Sequence, residues 1–126
     1  MTSKTLKTDV ARAKAHYLSV LGVLPEPIRA MVDYAPEALV AYQQFKDYLY
    51  KPAGEAALDL KTKELIYVAI SMSNQCDYCI ASHLAGARGK GMTDEQLKEL
   101  IAVVGFANAN NRIVAGYQVE IDQRFR

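Results

Sequence analysis

The chain lacks any long hydrophobic run. Its longest central apolar stretch, Leu65 to Ile70, falls far short of the roughly 18 apolar residues that a membrane span needs. The segment Met1 to Val10 alternates polar and charged residues and has no apolar core of the kind a secretory signal carries. A cytoplasmic location without a membrane partner is the expectation. Charge of one sign is also missing. Lys plus Arg number 15, Asp plus Glu 14, and the formal charge is +1. With no Lys/Arg block, the footprint expected of a nucleic-acid or acidic-membrane binder is absent.

Cysteine is scarce. There are two, three positions apart. A disulfide between them closes a tiny loop and cannot be the main staple of a fold this size. The spacing points instead to redox or metal chemistry. Strand signals are poor, since no Asn-Gly or Asp-Gly turn separates alternating runs. No Gly-x-Gly-x-x-Gly follows a strand, so no nucleotide or flavin cofactor is expected. Reducing equivalents must then arrive through another protein or a small thiol. Internal repeats, low-complexity tracts and linkers are absent too.

What remains is helical. The 126 residues, 51% hydrophobic and 23% charged, fit one globular all-α domain over 1–126 that buries roughly two-thirds of its unfolded surface. About seven helices are expected. The first three cover about Thr5–Leu21, Pro27–Asp33 and Pro36–Leu49, the third with Leu39, Tyr42, Phe45 and Leu49 as its apolar face. After a loop at Lys51–Ala57, Asp59 caps a helix over about Leu60–Met72. Its segment Leu65–Ile70 is apolar all round and belongs in a core or an oligomer interface. A helix over Cys76–Gly89 follows and stops at Gly89-Lys90-Gly91. Thr93 and Gln96 form a capping box for a helix over Asp94–Asn108, and a last helix covers about Asn111–Ile121.

The chemistry-bearing residues cluster in Asn74 to Leu84. On a helix turning about 100° per residue, Cys76, Cys79 and His83 fall within roughly 60° of one another. Cys79 and His83 are an i, i+4 pair. A thiol is mostly protonated at neutral pH, and a helix N-terminus and an imidazole both favour the thiolate. His83 can take the proton of Cys79, and Cys76 can resolve an oxidised Cys79 by forming a disulfide. Glu64 lies on the preceding helix. If the two helices run antiparallel, it approaches His83 and orients it.

Blander readings stand beside this one. Paired cysteines can be core packing. Cys76, Cys79 and His83 are also three good zinc ligands, although one helix face gives poor tetrahedral geometry and no second cluster supplies a fourth. Haem attachment is excluded because Ile80, not His, follows Cys79. Glu64 alone can be a favourable charge near a helix start. His16, beside Tyr17, reads as structural or exposed. Tyr67 and Tyr78 either line the site or anchor packing.

Glu64, eleven residues, Cys76, two residues, Cys79, three residues and His83 together resemble the signature of the alkylhydroperoxidase D-like proteins. Those belong to the carboxymuconolactone decarboxylase superfamily. The likeness covers roughly residues 20–110. It includes Gly22-Val23-Leu24-Pro25, Ala35-Pro36-Glu37, Leu60 to Gly86 and Thr93-Asp94-Glu95-Gln96. The resemblance implies an all-helical fold assembled into homotrimers or homohexamers. It implies an antioxidant peroxidase in which Cys79 attacks a small organic hydroperoxide, Cys76 resolves the sulfenic acid, and His83 and Glu64 relay protons. A dithiol or lipoylated protein would be the reductant. The peroxidase branch carries a second histidine just before its second cysteine; this chain has Tyr78 there. Two alternatives follow. One is a redox-responsive dithiol/disulfide regulatory or binding protein without efficient turnover. The other is a decarboxylase of the carboxymuconolactone type, against which the cysteine pair argues.

Overall fold

The computed structural model describes residues 2–52 and 54–126. Met1, the first residue of the segment read for a secretory signal, and Ala53, within the loop expected at Lys51–Ala57, lie outside the described residues. Six α-helices and one short 3-10 turn make up the regular structure, with no strand among the described residues. The fold is all-α. No helix is long and apolar enough to cross a membrane, among the described residues. The chain divides into two compact units, one ending at Ala56 and the other running from Ala57 to Arg126.

The first unit holds α1 (Ser3–Leu21), α2 (Glu26–Tyr34) and α3 (Pro36–Leu49). The Thr2 hydroxyl accepts the Thr5 N–H and caps α1. Gly22 ends it in the left-handed conformation, φ +71°, donating its N–H to Leu18. That geometry suits glycine because no Cβ opposes it. Pro27 and Pro36 sit in the first turns of α2 and α3, where the missing N–H costs nothing. Ala13 and Tyr17 of α1, Ile28 of α2 and Leu39 of α3 form the core.

The buried face of α3 differs from the expected stripe. Leu39 and Val40 are buried, while Tyr42, Phe45 and Leu49 are exposed. Helix spacing alone allows several faces, and the contact with α1 selects the one that runs from Leu39 and Val40 to the half-buried Gln43 and Lys46.

The second unit holds α4 (Leu60–Ser73), α5 (Asp77–Gly89) and α6 (Asp94–Gly116), followed by the 3-10 turn Gln123–Phe125. Asp59 caps α4 by accepting the Thr62 N–H at 3.0 Å and its hydroxyl at 2.6 Å. The capping box of α6 is present in both directions, Gln96 N–H to the Thr93 hydroxyl and Thr93 N–H to the Gln96 side chain, each at 3.1 Å. α4 packs most extensively on α5 and also on α6.

Glu64, Val68 and Ser71 are the buried positions of α4, spaced for one face. Leu65–Ile70 is therefore not enclosed by the chain's own fold. Val68 is fully buried, but Ile66, Tyr67 and Ile70 are exposed, Ile70 by 55%. The two expected terminal helices are one. α6 runs unbroken through the asparagine-rich stretch to Gly116, and residues 119–122 are not helical. Asn108, read as a helix end, donates its side-chain amide to Val104 carbonyl and to Ser73 Oγ, each at 2.9 Å. A polar residue whose hydrogen bonds are met inside the fold has no reason to break the helix.

Candidate active site

Asn74, Gln75 and Cys76 link α4 to α5. The Asn74 N–H returns to Ile70 carbonyl and the Cys76 N–H to Ser71 carbonyl at 3.0 Å. Gln75 takes a left-handed conformation, φ +58°, and reverses the chain within these three residues. The two helices thus run antiparallel. The first turns of α4 face the last turns of α5.

Cys76 is not the first residue of α5 but its cap. Its backbone is extended, and its sulfur accepts the Cys79 N–H at 3.4 Å. The shared helical face drawn from sequence therefore holds for Cys79 and His83 only. Cys76 reaches Cys79 from just outside the helix. The two are joined in a disulfide, with Cα atoms 5.3 Å apart, and both are partly buried. At the N-terminus of α5 their sulfurs meet the positive end of the helix dipole, which stabilises a thiolate when the bond is reduced.

One turn on, His83 faces back to α4. Its Nδ1 lies 2.6 Å from Glu64 Oε2, and the side chains are 24% and 7% exposed respectively. Lys90, just past the end of α5, takes the other carboxylate oxygen, with Nζ 3.2 Å from Oε1. Lys90 also donates to Gly86 carbonyl at 3.3 Å. Tyr67, three residues along α4 from Glu64, stacks on the imidazole with centroids 3.7 Å apart and planes 20° apart. Gly86 makes this possible, for a Cβ there would lie 3.0 Å from the Glu64 carboxyl carbon and from Oε2.

The charge on Glu64 follows from these contacts. Burial alone raises its pKa, but the hydrogen bonds and positive charges of His83 and Lys90 outweigh burial and hold it below the ordinary carboxylate value. An ionised carboxylate only accepts. His83 must therefore carry its proton on Nδ1, and in the neutral ring Nε2 is the basic nitrogen.

The structure thus joins Glu64 to His83 and Cys76 to Cys79, with His83 one helical turn from Cys79. Tyr78 is exposed. His16 is in the other unit, edge-on to Tyr17 at 5.6 Å. Sequence reasoning missed Lys90 and Gly86. The signal was their spacing: His83, Gly86 and Lys90 stand at i, i+3 and i+7, the spacing of one helical face carried on to the C-cap of α5.

A carboxymuconolactone decarboxylase family model matches residues 36–119. The chain belongs to that family. A solved structure described as the alkylhydroperoxidase AhpD core from Rhodospirillum rubrum is similar to it over 99% of this chain and 93% of that one, with 32% identity and a TM-score of 0.78. A Burkholderia xenovorans structure named for carboxymuconolactone decarboxylase covers 90% of this family member and 99% of its own chain, with 27% identity and a TM-score of 0.67. A Paracoccus denitrificans protein, "Uncharacterized protein 4 in cox locus", is 41% identical over a stretch that takes in 47% of this chain and 60% of that protein. The matched stretch is thus less than two-thirds of that relative's length.

Proposed function

We propose that this protein is a thiol-dependent hydroperoxide reductase. The observation that carries the reading is the Cys76–Cys79 pair at the start of α5, with a carboxylate-oriented imidazole one turn away. The likeness to the AhpD core supports it.

In the reduced protein, His83 Nε2 takes the proton of Cys79. The thiolate attacks the outer oxygen of a small organic hydroperoxide. An S–O bond forms, the O–O bond breaks, and the leaving alkoxide receives the proton held on His83. Cys79 is now a sulfenic acid. The Cys76 thiol attacks its sulfur, water leaves, and the disulfide closes. Hydroperoxide and two thiols have become alcohol, water and a disulfide. An external dithiol, free or carried as a lipoyl group on a partner protein, reduces the disulfide by exchange. The chain needs no bound cofactor for this cycle. Cytoplasmic action suits a centre that must be re-reduced.

Assembly into homotrimers or homohexamers belongs to the same proposal. The exposed Ile66, Tyr67 and Ile70 on α4 supply apolar surface for it.

Tyr78 favours a second reading. The peroxidase branch carries a histidine at that position, and a chain with one relay group fewer fits a redox-responsive switch that cycles once per oxidant. Decarboxylation would need turnover that survives serine at both cysteines. One experiment separates the peroxidase from the switch. The protein is reduced, mixed with a small excess of cumene hydroperoxide, and followed for thiols and peroxide with and without dihydrolipoamide. Repeated turnover lost in Cys79→Ser is expected. A single loss of two thiols without turnover supports the switch and overturns the peroxidase.

A further inference from the structure

We propose that Lys90 is a positioning residue for the proton relay: it holds the second oxygen of Glu64, so that the carboxylate stays charged and aimed at His83 while the imidazole gains and loses its proton. The proposal rests on the peroxidase reading above and deepens it.

The geometry is specific. Glu64 is buried, and its two oxygens are divided between two donors, Oε2 to His83 at 2.6 Å and Oε1 to Lys90 at 3.2 Å. Lys90 is itself fixed by the Gly86 carbonyl at 3.3 Å, and Gly86 is the residue whose missing side chain admits the carboxylate. The three contacts come from the last two turns of α5 and its C-cap, and converge on one side chain of α4.

The need for a second cation follows from the cycle. His83 is neutral before it accepts the thiol proton and again after it releases that proton to the alkoxide. In those states a buried carboxylate facing only His83 would be an uncompensated charge, which is costly away from water. It would take up a proton itself and cease to accept from Nδ1. Lys90 supplies charge that does not vary through the cycle.

On α5 and at its C-cap, His83 and Lys90 act on this carboxylate. On α4, Tyr67 lies against the imidazole ring. At the start of α6, Asp94 is paired with Arg88, apart from this cluster.

Single-turnover oxidation of reduced protein by cumene hydroperoxide, measured between pH 5 and pH 8, tests the proposal. Taking the ratio of variant to wild-type rate cancels the titration of the thiol common to both. For Lys90→Met the ratio should fall by about threefold from pH 8 to pH 5, because the wild-type carboxylate titrates below 4.5 and a shift of about one pH unit reaches its full effect only at more acid pH. Lys90→Arg should keep the ratio flat. A Lys90→Met ratio that is constant with pH, at whatever level, overturns the proposal, because a merely structural lysine lowers the rate equally at every pH. If Lys90→Met does not fold, Lys90→Gln carries the same test. A second readout needs no peroxide: the carboxyl carbon of Glu64, followed by NMR, should titrate at higher pH in Lys90→Met than in wild type. Wild-type protein that consumes no hydroperoxide would remove the peroxidase reading alone. An unmoved Glu64 titration would remove the role of Lys90 alone.

Discussion

The imidazole of His83 and the carboxylate of Glu64 meet at 2.6 Å across the α4–α5 interface, nineteen positions apart in sequence and both largely shielded from solvent. The contact fixes the tautomer of the ring and leaves Nε2 as its basic nitrogen.

Loss of the ring should therefore cost more than loss of its partner. His83→Ala should slow oxidation of the reduced protein by about 10²- to 10⁴-fold, the usual contribution of a positioned acid–base group. Glu64→Gln keeps the ring and should cost less. Stopped-flow peroxide consumption checks the order. Equal rates for His83→Ala and wild type would remove the histidine from the mechanism.

The same contact ties stability to pH. Glu64 has its pKa lowered in the folded protein from an ordinary 4.5. Its ionised form is favoured by folding, so this contribution is complete above pH 4.5 and is lost as pH falls through the lower folded value. Urea unfolding at pH 7 and at progressively lower pH should show wild type losing more stability on acidification than Glu64→Gln. Parallel losses in the two proteins would contradict the assignment.

Gly86→Ala sets two effects against each other. Alanine in a helix interior is favoured over glycine by about 1 kcal/mol. The new Cβ, however, would stand 3.0 Å from a carboxylate that His83 and Lys90 hold in place. Stability should stay within about 1 kcal/mol of wild type while activity falls, because Glu64 must move off His83. Unfolding curves and peroxide kinetics on the same preparation separate the two.

In the other unit, Tyr17 has its pKa raised to about 12, chiefly by burial, with Tyr42 and Asp47 adding to it. Folding favours the neutral phenol. That contribution is complete below the ordinary value of 10 and is lost as pH rises from there through 12. Tyr17→Phe should flatten this alkaline decline. Near pH 7 it should cost about 1 kcal/mol, for the lost hydrogen bond from Lys46. An alkaline decline as steep in Tyr17→Phe as in wild type would place its origin elsewhere.

The features legible in the sequence are the local ones. Asp59 and the Thr93–Gln96 box are written within three or four residues of the turns they set, and each stands where its residue type requires. Glu64, Cys76, Cys79 and His83 were legible as a spacing. The contact between Glu64 and His83 also needed the antiparallel turn, which the short link made the expected geometry. What could not be read depends on distant partners. Asn108 continues α6 because Ser73, thirty-five positions earlier, takes its amide. Tyr42 and Phe45 share a helical stripe with Leu39, yet α1 and α2 cover Leu39 and not them. Lys90 stood between two glycines and read as a helix stop, and only the register of α5 on α4 gives it a carboxylate.

Cys76 caps α5 and Cys79 lies in its first turn, so their bond bridges only Asp77 and Tyr78. It crosses no interface and ties no two helices together. The bond is confined to one turn of backbone, four residues of the 126.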